Sequence, residues 1–275
     1  MFDPVQQFRD SIQAAGLTPP DAIEADGKLR RFASNGKRGD GAGWYLLFND
    51  GTPAGCFGDW RTGFTQTWRA DIGRALTHAE EAAHRDKVQA MRRERETEEA
   101  RRKAEAQNRA AAIWQAAPPA PDDHSYLKRK GIKPNGARLH KGALLIPMRA
   151  DGLTHSLQFI DGDGIKRFLT GGRVAGCYFS IGSTKGAAAL CIAEGFATGA
   201  TIHEATGYPV AVAFNAGNLL TVATTMRDKF PEIPLIICAD DDSHTPGNPG
   251  LTKATEAARA VGGLLVIPEF VGVAA

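Results

Sequence analysis

Two short segments of this chain end an apolar run in acid. Cys191-Ile192-Ala193 leads into Glu194-Gly195, and Leu235-Ile236-Ile237-Cys238-Ala239 leads into Asp240-Asp241-Asp242. A strand buried on both faces reads as a near-continuous hydrophobic run, and open α/β sheets bind ligands at the carboxyl ends of their strands. A glutamate at one strand end and an Asp-x-Asp at another would set hard oxygen donors around a divalent cation, magnesium by preference. The chemistry expected of such a site is phosphoryl transfer, in which phosphate charge is neutralised and the attacking and leaving oxygens are aligned. Alternate residues beyond a strand end converge on one ion, which assigns Asp240 and Asp242 to the metal. Asp241 then points away or reaches a second ion. Clustered carboxylates repel one another, so a cation or a bound proton must hold them together. Glu194 is either a further ligand or the base that helps deprotonate an attacking hydroxyl. An aspartate at a strand end is also a common helix cap. The pairing of the two segments in one strand order, rather than either segment alone, points to a site.

The elements that must position these acids follow from the pattern around them. Phe196 to Ala205 reads as a helix leaving the first strand. Pro209 to Phe214 reads as another buried strand, with Asn215-Ala216-Gly217-Asn218 as the turn after it. Leu251 to Val261 reads as a helix and Gly263 to Pro268 as a final strand. Alternating buried strands and helices predict an α/β fold with a parallel sheet flanked by helices. Gly195 lets backbone come close to a phosphate, and the helix N-terminus behind it favours an anion; plain strand-to-helix packing would also account for it.

The rest of the chain divides by composition. Residues 1–76 read as a small aromatic- and Gly-rich β module, with a helix at Val5–Ala15. Strands are expected at Lys28–Phe32, Gly43–Phe48 and Ala54–Trp60, the last two joined through Asn49-Asp50-Gly51. Residues 77–117 are rich in Ala, Arg, Glu and Lys with charges alternating at helical spacing, which predicts a long solvated helix acting as a linker. Pro118-Pro119-Ala120-Pro121 ends it. Residues 118–185 read as β-rich, with a small helix from Ser125 stopped by Gly131. Strands follow at Ala143–Met148, Ser156–Ile160 and Lys166–Leu169, with a turn at Asp161–Gly164. Residues 186–275 hold the acids. Net charge is +2, but residues 1–150 carry 25 Lys and Arg against 19 Asp and Glu, while residues 151–275 carry 8 against 12. Basic flanks beside an acidic pocket suit a protein that holds a polyanion. The four cysteines form no C-x-x-C pair, so neither zinc nor a disulfide is expected and a reducing cytoplasm fits. No apolar run approaches a membrane span and no secretory signal is visible.

The Ile192-Ala193-Glu194-Gly195 and Asp240-Asp241-Asp242 segments resemble the two motifs of the Toprim domain, shared by bacterial-type primases, topoisomerases and some nucleases. Leu145-Ile146-Pro147 and Arg167-Phe168-Leu169-Thr170-Gly171-Gly172 resemble the subdomain that precedes Toprim in bacterial-type primases. The resemblance covers roughly residues 120–275 and is strongest to primase-like Toprim proteins of plasmids, integrative elements and satellite phages. It implies a β-rich primase-like subdomain leading into the Toprim domain, and synthesis of short RNA primers on single-stranded DNA from nucleoside triphosphates. It implies Mg2+ or Mn2+ as cofactor and a replicative helicase as partner. Glu194, Asp240 and Asp242 would be catalytic, and Glu194, Asp240, Asp241 and Asp242 would bind metal. Lys166, Arg167, Gly195, Asn215 and Lys253 would contact nucleotide or DNA. The N-terminal module stands where such proteins can carry a zinc ribbon, here without the metal cysteines. In the relatives a further acidic segment follows the last strand; this sequence reaches Val271–Ala275 before one appears, so the site is expected to be built from fewer acids or to belong to a truncated product.

Other features are set aside. His244 is a poor ligand for magnesium, which prefers oxygen, and Gly182–Gly186 lacks Walker A spacing. Of Trp44, Tyr45, Phe57, Trp60 and Trp68, one or two at most are expected to stack bases, the rest forming core. A Toprim nuclease, or a non-catalytic DNA-binding or helicase-recruiting module, are the alternatives to a primase.

Overall fold

A computed structural model describes residues 3–240 and 245–268. Asp241, Asp242, His244 and the terminal Val271–Ala275 therefore lie outside the described residues. The chain forms two compact units, residues 1–101 and 102–275, with the boundary inside one long helix.

The first unit begins with α1 (Pro4–Ala14). Asp3 caps it by accepting the N–H groups of Val5 and Gln6, and Pro4 takes the first helical position, where its missing N–H costs nothing. An antiparallel sheet follows in the order β1 (Arg30–Phe32), β2 (Gly43–Phe48), β3 (Ala54–Asp59), β4 (Phe64–Arg69). Helices cover both faces. Tyr45, Leu47 and Phe57 pack with Phe8 and Ile12 of α1, while Trp44, Leu46 and Cys56 pack with Met91 of α2 (His78–Ala116). This accounts for β2 being apolar at successive positions, unlike a half-solvated antiparallel strand. Strand β4 was not among the strands expected; its Phe-Thr-Gln-Thr-Trp-Arg sequence is a mostly exposed edge, held by its ladder to β3.

Helix α2 starts on a capping box, in which the Glu80 carboxylate accepts the Thr77 N–H at 2.8 Å and the Thr77 hydroxyl accepts the Glu80 N–H at 3.3 Å. Arg74, hydrogen-bonded to the same carboxylate, holds the Glu80 carboxyl down at about 2. The helix is less solvated than its charge pattern suggests. Met91 is buried in the first unit, and Ala110 is buried in the second with Ile113 and Trp114 against Leu145 and Leu157. The buried and half-buried positions Ala106, Ala110, Ile113 and Trp114 keep helical spacing, but alanines in an Ala-rich stretch do not stand out as an apolar stripe. Arg138 and Arg149 both stack on the Trp114 ring, at 4.5 and 5.2 Å from its centroid, a cation–π arrangement.

In the second unit, α3 (Ser125–Lys130) ends on Gly131 in the left-handed conformation at φ 64°. One antiparallel sheet is β5 (Arg138–His140), β6 (Ala143–Ala150), β7 (Leu153–Ile160), β8 (Lys166–Phe168). The other comprises β9 (Phe179–Ile181), β10 (Leu190–Ala193), β11 (Val210–Val212), β12 (Leu235–Cys238) and β13 (Leu264–Val266), in the order β13-β12-β10-β11-β9. It is mixed rather than wholly parallel, because β9 joins β11 antiparallel at one edge. The final strand is the opposite edge, with Leu264 and Val266 exposed.

Helices α4 (Phe196–Thr206), α5 (Leu219–Lys229) and α6 (Pro249–Val261) flank this sheet. On one face Cys191, Ala193, Val210 and Val212 pack with Phe196 and Ala200 of α4, and with Leu144, Ile146, Met148 and Ile160 from the preceding sheet, in one continuous core. On the other face Leu190, Ile192, Leu235 and Ile237 pack with α5 and α6. A methyl group on Gly199 would stand 2.8 Å from the Val212 side chain, so glycine sets how closely α4 lies on β11. Among the described residues no helix is long and apolar enough to cross a membrane.

All four cysteines are buried with free thiols. Burial pushes the Cys56 thiol up to about 12 and that of Cys177 to about 11. The hydrogen bond with Cys191, together with burial, raises Cys238 well beyond the usual thiol range. That bond shifts Cys191 the other way, so its protection rests on burial; the native chain is expected to show no rapid thiol reaction with DTNB at pH 8, and four reactive thiols after unfolding. A fast native thiol would contradict this packing.

Candidate active site

Strands β10 and β12 are hydrogen-bonded neighbours with Leu190 beside Leu235 and Ala193 beside Cys238. Because they run parallel, both leave the sheet at the same end, one interstrand spacing (about 4.8 Å) apart. Glu194 follows β10 immediately, and Asp240 stands two residues beyond β12. The chain leaves β10 for α4 on one face and enters α6, after β12, on the other. Adjacent strands whose connections part to opposite faces define a switch point, and a crevice opens at their carboxyl ends. Glu194 and Asp240 sit on its two lips. Both are half-buried rather than enclosed.

Further backbone pairing continues past the strands. The Ala213 and Phe214 N–H groups donate to the carbonyls of Ala193 and Glu194, each at 2.8 Å, and the Ala239 N–H donates to the Val266 carbonyl at 2.9 Å. The acids thus rise from backbone fixed on both sides. Oxygen donors on strand ends suit a hard divalent cation. Among the described residues no three His, Cys, Asp or Glu side chains converge on one point, and Asp241 and Asp242 lie outside those residues.

Lys166 is brought to this rim from the other sheet. The β7–β8 turn is shaped by Asp161, whose carboxylate accepts the N–H groups of Asp163 and Ile165. It is tied to α3 by the Gly162 carbonyl, which accepts from Ser125 Oγ at 3.2 Å and from the Arg129 guanidinium at 3.0 Å. The Lys166 ammonium then lies 3.7 Å from where a Cβ on Gly195 would be. Gly195 is the N-cap of α4 and offers no side-chain cap, leaving the first N–H groups of that helix open to an anion.

The remaining expected contact residues are less close. Arg167 points to the opposite side of β8, 3.8 Å from Asp161. Lys253 lies on the surface of α6, bonded to Glu256 at 2.8 Å. Asn215 precedes a single 3-10 turn (Ala216–Asn218) beside the end of β11. Two residues that sequence reasoning passed over shape the rim. Asn218 is buried: its carbonyl oxygen accepts the Gly176 N–H at 2.8 Å, and its amide donates to the Cys177 and Ala213 carbonyls, both at 2.8 Å. Phe214 is held at φ 73°, a left-handed conformation that costs a bulky residue about 1–3 kcal/mol. The strand ending in Phe-Asn was the signal available for a special turn.

With this geometry the sequence comparisons fall into place. Residues 189–270 match the Toprim domain family, and the crevice acids Glu194 and Asp240 lie within that span. Similarity to known proteins extends beyond this stretch to nearly the whole chain. Two proteins of Escherichia coli, each named DNA primase TraC, align with 97% of it at 36% and 33% identity. The chain spans 26% of the length of the first and 20% of the second. A chain in a solved complex of the bacteriophage T7 lagging-strand DNA polymerase with primase domains aligns with 54% of this chain and 75% of its own length, at 15% identity and a TM-score of 0.36.

Asn218 offers a test of how the rim is held. Asn218→Ala removes three buried hydrogen bonds and is expected to lower the unfolding free energy by about 3 kcal/mol, measured by urea denaturation. An unchanged midpoint would show that the loop at 174–177 does not depend on this amide.

Proposed function

We propose that this chain provides the nucleotidyl-transfer centre of a primase, joining nucleoside triphosphates into short RNA primers on single-stranded DNA. The observation that carries the reading is the parallel register that sets Glu194 and Asp240 on the two lips of the switch-point crevice. The names of the two TraC relatives support it.

In this reading Glu194, Asp240, Asp241 and Asp242 hold magnesium or manganese, which supplies charge neutralisation at the phosphates when bound. Glu194 also stands where it could take the proton of the attacking 3′-hydroxyl. Lys166 attracts the triphosphate, and Gly195 allows it to approach the N–H groups at the start of α4. Asn215 borders the nucleotide from the end of β11. Arg167 and Lys253 are secondary contacts, since each would exchange an exposed ion pair, worth little in water, for a phosphate. The exposed basic residues Lys128 and Lys130 of α3 carry the template strand toward the crevice. The setting is cytoplasmic, with a replicative helicase as partner.

The test is de novo primer synthesis on single-stranded DNA with labelled nucleotides and magnesium or manganese, comparing the wild type with Asp240→Ala/Asp242→Ala. Short products that fall by at least about a hundredfold in the double variant are expected. Template cleavage dependent on the same acids would replace the primase with a nuclease, and DNA binding without either reaction would leave an accessory module.

A further inference from the structure

Strand β8 is three residues long, and all three are exposed. Alternation along a strand puts Lys166 and Phe168 on one face and Arg167 on the other. The contacts agree. Lys166 reaches toward Gly195, Phe168 meets Phe214 edge-on with ring centroids 6.4 Å apart at 83°, and Arg167 turns to Asp161.

A single exposed phenylalanine is ordinary on a protein surface. Phe168 differs in where it stands and in what holds it. It is 40% exposed, while its buttress Phe214 is 7% exposed. Phe214 is in turn fixed by its left-handed backbone and by its N–H bond to the Glu194 carbonyl. Two contacts therefore connect the ring to the residue at the lip of the crevice. Along the strand, the Cα atoms of Lys166 and Phe168 are about 6.6 Å apart, a spacing that suits phosphates at one side chain and the base at the other.

From this arrangement we infer that Phe168 is the stacking platform for the base of the bound nucleoside triphosphate, with Lys166 at its phosphates and Phe214 as the positioning residue behind the ring. The inference rests on the nucleotidyl-transfer reading of the same crevice and adds the residue that holds the base. A ring face discriminates little among bases, so the platform accepts all four nucleotides.

The experiment measures nucleotide binding directly, with magnesium present, using ATP, CTP and inorganic tripolyphosphate as a baseless probe. Phe168→Ala is expected to weaken ATP and CTP roughly 5- to 100-fold and to leave tripolyphosphate unchanged, while Lys166→Ala weakens all three. Phe168→Tyr is expected to restore ATP binding. The fluorescence of Phe168→Trp, taken as a difference from wild type, is expected to be quenched by ATP but not by tripolyphosphate. Equal ATP affinity in Phe168→Ala and wild type overturns the platform, while primer synthesis by the wild type judges the transferase reading separately. Loss of oligodeoxynucleotide binding with ATP affinity unchanged also overturns it, assigning the ring to the template. A wild type without nucleotide affinity overturns both readings.

Discussion

The parallel ladder between β10 and β12 is the constraint on which the second unit depends. It pairs two short apolar strands from distant parts of the chain, residue for residue, so that they run out of hydrophobic sequence within one residue of each other. Because each strand is covered on both faces, a carboxylate inside it would have to be buried unpaired, at a cost far beyond what the domain could tolerate. The acids are therefore confined to the rim, where solvent or a cation can meet them. A slip of one residue in this ladder would invert the packed faces and change the one-residue stagger between Glu194 and Asp240.

The preceding β5–β8 sheet is more than a neighbour. Its residues Leu144, Ile146 and Met148 share one core with Cys191, Ala193 and Val212, so the hairpin that carries Lys166 is positioned by packing continuous with that of the acid-bearing strand. Asn218 adds a second tie, joining the 174–177 loop to the end of β11 through hydrogen bonds that leave its amide satisfied. The crevice is thus assembled from separate stretches of chain whose relative placement is set by buried contacts, which is how charged groups are held close without collapsing onto one another.

The N-terminal unit uses its aromatic residues mainly to close itself. Trp44, Tyr45 and Phe57 are buried between α1 and α2, and Trp68 meets Phe8 edge-on. A small sheet flanked by two helices buries little surface per residue, and large rings at the centre compensate. Buried rings are not available to stack bases; of the five aromatic residues singled out in the sequence, Trp60 and Trp68 are the two left partly exposed.

Much of this protein can be read from its sequence wherever the signal is local. The apolar runs ending at Glu194 and Asp240, the helix after Gly195, the glycine stop at Gly131 and the charged helix from His78 depend on neighbours a few residues away. Those features also carry the resemblance to Toprim. The partners of β4, β5 and β9 were not readable, because an edge strand or a three-residue strand has too little periodicity and is specified by the ladder it joins. The burial of Met91 and Ala110 within a polar helix, the special backbone of Phe214, and the meeting of Phe168 and Lys166 with the acid rim were hidden for the same reason. The sequence alone determined which residues could do chemistry. Tertiary structure decided which of them share a crevice, because strand order and face are set by long-range packing rather than by distance along the chain.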